Sequence, residues 1–138
     1  MKAFIGCDHT GEDVKKALIF VLNSFNITSE EVQMKEDYTD VAYAISQKTL
    51  ESPSAIGIII CGSGVGVSIV ANRFKGIRAC LAHSPLVAEL SRKHNNANIL
   101  CLGARIAPIE VQIEILKAFL TANFEGGRHE VRINKIDS

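Results

Sequence analysis

The chain has 138 residues, 47% of them hydrophobic and 22% charged, which is the size and make-up of one globular domain with a real core. Lys plus Arg number 15 and Asp plus Glu number 15, so the balance is zero, which argues against non-specific binding to nucleic acid or to an anionic membrane. Apolar runs fall short of the roughly 20 residues a membrane span needs, and the N-terminus enters strand-like sequence directly, so no signal peptide and a cytoplasmic location are expected.

Lys2 to Cys7 reads as a short apolar strand. Residues 11 to 25 follow with helical spacing, placing Val14, Ala17, Leu18, Val21, Leu22 and Phe25 on one face. Residues 27 to 34 are ambiguous, with a short strand around Val32 as the favoured reading. Asp40 to Leu50 is helical again, with Val41, Ala44, Ile45 and Leu50 inward. Ala55 to Ile60 is a continuous β-branched run, expected of a strand covered on both faces. It leads into Cys61-Gly-Ser-Gly-Val-Gly66 and a short helix to about Arg73. Ile77 to Ala82 is a strand, and Pro85 suits the first turn of a helix to His94. Asn98 to Leu102 is a fifth strand and Pro108 to Asn123 a closing helix, with Ile109, Ile113, Leu116, Phe119 and Leu120 at helical spacing. The last stretch, about 124–138, reads as a polar arm. Alternating strands and helices predict an α/β domain over 1–138: a Rossmann-like three-layer sandwich with a five-stranded parallel sheet and helices on both faces. Ligands bind such sheets beyond the carboxyl ends of the strands.

Four polar clusters fall at those ends or in the tail. The first is the glycine-rich turn after the third strand. Its glycines let backbone approach a ligand, and a helix start supplies unpaired N–H groups, so the turn suits an anion. Its spacing is GxGxG, and no Gly-Lys-Ser/Thr follows, so it is neither the dinucleotide fingerprint nor a Walker loop. Cys61 stands where a helix N-terminus favours thiolate, which can serve as base or nucleophile. Ser63 is placed to donate to Cys61 or to substrate. The second cluster is Asp8-His9, readable as ligand contacts or as a helix N-cap at Asp8 or Thr10. The third runs from Arg92 to Asn98 and includes His94 and Asn95. The fourth is Gly126 to Arg132, where Arg128 and Arg132 share a face if helical and could clamp a phosphate. Arg105, after the fifth strand, is a further cation on the rim. The four cysteines contain no CxxC pair, so neither a zinc ribbon nor a disulfide framework is expected. Cys80 and Cys101 read as buried hydrophobes.

Gly6-Cys-Asp-His9, Ile60-Cys-Gly-Ser-Gly-Val-Gly66, Gly76-Ile-Arg78, Ser91-Arg-Lys-His-Asn95, Gly103-Ala-Arg105 and Glu125-Gly-Gly-Arg-His129 occur in an order that resembles the type B ribose-5-phosphate isomerase family, which also contains the subunits of galactose-6-phosphate isomerase. The resemblance covers nearly the whole chain. It implies that Cys61 moves a proton between C1 and C2 of a sugar phosphate, with Ser63, usually threonine in the family, in support. The amides of Gly62, Gly64, Val65 and Gly66 would stabilise the enediolate oxygen. His94 resembles the residue that opens the furanose ring. Asp8 and Asn95 resemble sugar-hydroxyl contacts, and His9, Arg105, Arg128 and Arg132 resemble phosphate contacts. The family builds homodimers, or dimers of dimers, with shared sites and uses no metal or organic cofactor. Its Asp-Tyr-Pro segment is here Asp37-Tyr38-Thr39, after a shortened stretch from Ile27, which bears on whether Tyr38 reaches the sugar. His94 and the Gly-Gly-Arg-His tail favour ribose 5-phosphate. The alternatives are a six-carbon phosphate (allose 6-phosphate or galactose 6-phosphate), a non-catalytic sugar-phosphate-binding subunit, or a thiol hydrolase pairing Cys61 with His94.

Overall fold

A computed structural model describes all residues 1–138. Five parallel strands, β1 (Lys2–Cys7), β2 (Thr28–Glu31), β3 (Ile56–Cys61), β4 (Ala79–Leu81) and β5 (Ile99–Gly103), line up in the order β2-β1-β3-β5-β4. The helices are α1 (Glu12–Ser24), α2 (Tyr38–Glu51), α3 (Val65–Ala71), α4 (Pro85–Asn95), α5 (Ile109–Thr121) and α6 (Arg128–Ile133). One core joins α1, α4 and α5 to Ile5, Ile58, Ile60, Leu100 and Leu102; the other joins α2 and α3 to Phe4, Ile59, Cys61, Ile99 and Cys101. Alternation along β3 thus serves two apolar layers, which is why its sequence is apolar without interruption.

Strand order fixes where a ligand can sit. β1 pairs with β2 on one side and β3 on the other. From β1 the chain runs outward to β2, and from β3 it runs the opposite way, through α3 to β4. The connections therefore part above the carboxyl ends of β1 and β3, at the topological switch point.

The second strand runs from Thr28 to Glu31 rather than around Val32. It is an edge strand made of Thr-Ser-Glu-Glu, so no apolar alternation marks it. Its glutamates are held by cations: Glu30 meets Lys2 and Lys48, and Glu31 meets the buried Lys15 at 3.0 Å. Inward faces also differ from the periodic reading. Leu50 and Phe25 are exposed, and α5 buries Gln112 and Ile115 beside Leu116 and Phe119. The polar arm contains α6, whose preceding turn uses positive φ at Gly126 (68°) and Gly127 (55°). The arm folds back over the domain, where Gly76 donates its N–H to Asp137 Oδ2 at 2.9 Å.

Candidate active site

A cleft of about 530 Å³ opens above β1 and β3, lined by Asp8, His9, Thr10, Tyr38, Cys61, Gly62, Ser63, Gly66, Arg105 and Ile106. Its floor is the end of β3. The Cys61 sulfur accepts the N–H of Gly64 at 3.2 Å. Gly64 can aim that amide because it adopts φ 80°, and an added Cβ there would lie 2.6 Å from the Leu81 side chain. Ser63 turns to its own loop rather than to Cys61: its Oγ accepts the N–H of Val65 at 3.1 Å, leaving the hydroxyl proton to donate. The amides of Gly64 and Val65 are therefore spent within the loop, and those two residues do not line the cleft; Gly62, Ser63 and Gly66 do.

On the β1 side, Asp8 does not cap α1, whose N-cap is Gly11. Its Oδ1 instead accepts both the N–H of Thr10 (2.9 Å) and the Thr10 hydroxyl (2.6 Å), an Asx turn that leaves Oδ2 for the cleft. Tyr38 does reach the cleft despite the altered segment. Asp37 caps α2, accepting the N–H of Thr39 at 2.8 Å, a bond that proline at 39 could not make. Asp40 completes the box by accepting the N–H groups of Lys35, Glu36 and Asp37, which hold its carboxyl below the usual carboxylate range. Tyr38 is then the first residue of α2, with its ring against Gly66.

On the β5 side, Gly103 to Ile106 form a turn closed by the Ile106 N–H on the Gly103 carbonyl at 3.0 Å. Ala104 and Arg105 donate their N–H groups to the carbonyls of Cys61 (2.8 Å) and Gly62 (3.0 Å). The Arg105 guanidinium consequently lies across Gly62: a Cβ on Gly62 would stand 3.6 Å from Nη1, ordinary contact. One cation is thereby fixed beside the cysteine loop.

The remaining expected residues stand apart from this cleft within one chain. His94, in the last turn of α4, stacks on His129 with ring centroids 4.3 Å apart and planes 13° apart. Glu125 Oε1 lies 3.8 Å from His94 Nε2 and 3.4 Å from His129 Nε2. These three donors fall within 4.8 Å of one another. Nearly parallel rings keep the in-plane lone pairs in separate planes, so the trio is not a preformed metal cage. Asn95 ends α4 and accepts from Arg78 Nε through its carbonyl at 2.9 Å. Arg128 and Arg132 project from α6, one turn apart and exposed.

Several residues carry no site role in the sequence reading. Thr10, readable there as a helix cap, is instead the partner of Asp8 and lines the cleft. Ile106 follows Arg105 into the cleft, and His83, just past β4, brings Nε2 within 3.4 Å of the Ser63 carbonyl. Glu125 and His129 frame His94 only because α6 folds back on α4.

The whole chain is similar to proteins already known. "Probable ribose-5-phosphate isomerase B" of Mycoplasma genitalium is 43% identical over 139 residues, covering 96% of this chain and 91% of the relative. Ribose-5-phosphate isomerase B of Escherichia coli K12 is 37% identical, covering 98% and 93%. The crystal structure of the Mycoplasma genitalium enzyme with bound ribulose-5-phosphate superposes with a TM-score of 0.93 at 40% identity, covering 98% of this chain and 93% of that one. Ribose-5-phosphate isomerase B of Clostridium thermocellum gives a TM-score of 0.95 at 35% identity, covering 99% and 95%. Residues 3–136 match the family model described as Ribose/Galactose Isomerase, and the chain belongs to that family.

Proposed function

We propose that this protein interconverts ribose 5-phosphate and ribulose 5-phosphate through an enediolate, with Cys61 as the base. The observation that carries the reading is the Cys61 sulfur at the foot of the cleft, accepting the Gly64 N–H while Arg105 lies across the adjoining glycine. A thiolate so placed takes the proton from C2 of the open-chain aldose and returns it to C1. Charge then develops on the substrate oxygens, where the Ser63 hydroxyl and the loop backbone can donate. His9 and Arg105 supply positive charge for the phosphate, and Asp8 Oδ2 and Tyr38 meet sugar hydroxyls.

Ring opening requires an acid, and the candidate, His94, lies outside its own chain's cleft. A homodimer with shared sites resolves this: His94, Asn95, Arg128 and Arg132 of one copy complete the cleft of the other. Support comes from apolar side chains left exposed on α3 and α4, among them Val65 (43%), Ile69 (52%), Leu86 (61%) and Val87 (44%). No helix is long and apolar enough to cross a membrane, and all four cysteines are free, which fits a reducing cytoplasm.

The test is an assay of purified protein on ribose 5-phosphate with a chelator present, alongside allose 6-phosphate and galactose 6-phosphate. Metal-independent turnover of ribose 5-phosphate is expected. Turnover of a six-carbon phosphate alone would replace the substrate, and turnover of none would overturn the reading.

A further inference from the structure

Gln112 is a polar side chain in the apolar layer of α5, 1% exposed among Ile115, Leu116 and Phe119. Its Nε2 donates to the Gly103 carbonyl at 2.7 Å and to the Ala107 carbonyl at 3.3 Å. Those two acceptors fix the amide's orientation, since the reverse would turn Oε1 onto two carbonyl oxygens. The cost of that orientation is visible: Oε1 is buried with no hydrogen-bond partner. An apolar side chain of similar volume would fill the position without that penalty, so packing does not account for glutamine here.

Its two acceptors bracket the segment that carries Arg105. Gly103 begins the turn and Ala107 ends it, and the backbone between them is otherwise tied only to the cysteine loop, at the Cys61 and Gly62 carbonyls. The amide of Gln112 is thus the side-chain link that ties the turn to α5. Without it, the Ala107 carbonyl loses its hydrogen bond and the Gly103 carbonyl keeps only the Ile106 N–H.

We propose that Gln112 is a positioning residue that acts through Arg105: it holds the Gly103–Ala107 turn so that the guanidinium lies across Gly62 and meets the substrate phosphate. The proposal rests on reading Arg105 as a phosphate contact.

A double-mutant cycle tests it, using Gln112→Met to keep volume, Arg105→Ala, and both together. Readouts are KM and kcat on ribose 5-phosphate, and the Kd of inorganic phosphate by calorimetry. Gln112→Met should raise KM and phosphate Kd by roughly ten- to a hundredfold with kcat much less affected. In the Arg105→Ala background it should change neither further. Equal fold-changes in both backgrounds would overturn the proposal, as would a lowered melting temperature with unchanged KM and Kd. Should Gln112→Met fail to fold, Gln112→Leu takes its place, since it also removes the amide and should weaken phosphate in the same Arg105-dependent way. Phosphate binding without turnover would defeat the isomerase reading but leave the cycle readable; no phosphate binding by the native protein would defeat the Arg105 reading and this proposal together.

Discussion

Tyr38 lies with its ring directly on the backbone of Gly66, so close that a Cβ on Gly66 would meet ring carbons at 2.6 and 2.7 Å and the hydroxyl at 2.9 Å. Glycine at 66 is therefore what allows the cleft wall from α2 to close on the cysteine loop. Gly66→Ala should push Tyr38 out of the cleft, and the misplaced wall should lower kcat/KM by roughly ten- to a hundredfold. Steady-state kinetics check this, and unchanged kinetics would detach Tyr38 from the site.

The four thiols differ in environment. Burial pushes Cys7 up to about 12 although Lys15 pulls the other way, and burial also raises Cys80 and the fully enclosed Cys101. Cys61 lines the cleft and has an N–H on its sulfur. Iodoacetamide at neutral pH should label Cys61 first, with activity lost in step and inorganic phosphate slowing both. Peptide mapping by mass spectrometry decides, and early labelling of Cys80 with activity intact would contradict it.

Asp40 links acid stability to the site. Three backbone N–H groups depress its folded value, so its stabilisation is present above the ordinary carboxylate range, about 3.9, and fades as pH falls through the lower folded value. Asp40→Asn should lower the melting temperature at neutral pH and flatten the acid limb of the stability profile. KM should rise with it, because Asp37 and Asp40 together set the start of α2 at Tyr38.

The proposal that two subunits share each cleft is tested by complementation. Cys61→Ala and His94→Ala should each be slow alone. Co-expressed, their mixed dimers hold one complete cleft of two, and random pairing should restore about a quarter of native activity. A mixture no faster than its parts would place His94 outside the partner's cleft.

Much of this was legible in the amino-acid order. The cysteine loop stands out because a buried parallel strand is apolar without interruption and then breaks abruptly into glycines. Asp8-His9 and Arg105 are marked by the same transition at β1 and β5. What stayed hidden has physical reasons. β2 is a polar edge strand stabilised by Lys2, Lys15 and Lys48, so its residues carry no alternating pattern. Gln112 breaks a helical apolar stripe at a buried position, which reads as surface until the Gly103 turn is seen above it. The pairing of His94 with His129 depends on α6 folding back, a long-range contact that local spacing does not encode.

The most direct test of the central claim is the rate of ribose 5-phosphate isomerisation by Cys61→Ala beside the native protein, with phosphate binding measured on both. Cys61→Ala should lose roughly 10²–10⁴-fold in kcat, the usual scale of a removed general base, with phosphate affinity kept. Turnover near the native rate in Cys61→Ala would contradict it and assign the proton transfer to another group in the cleft.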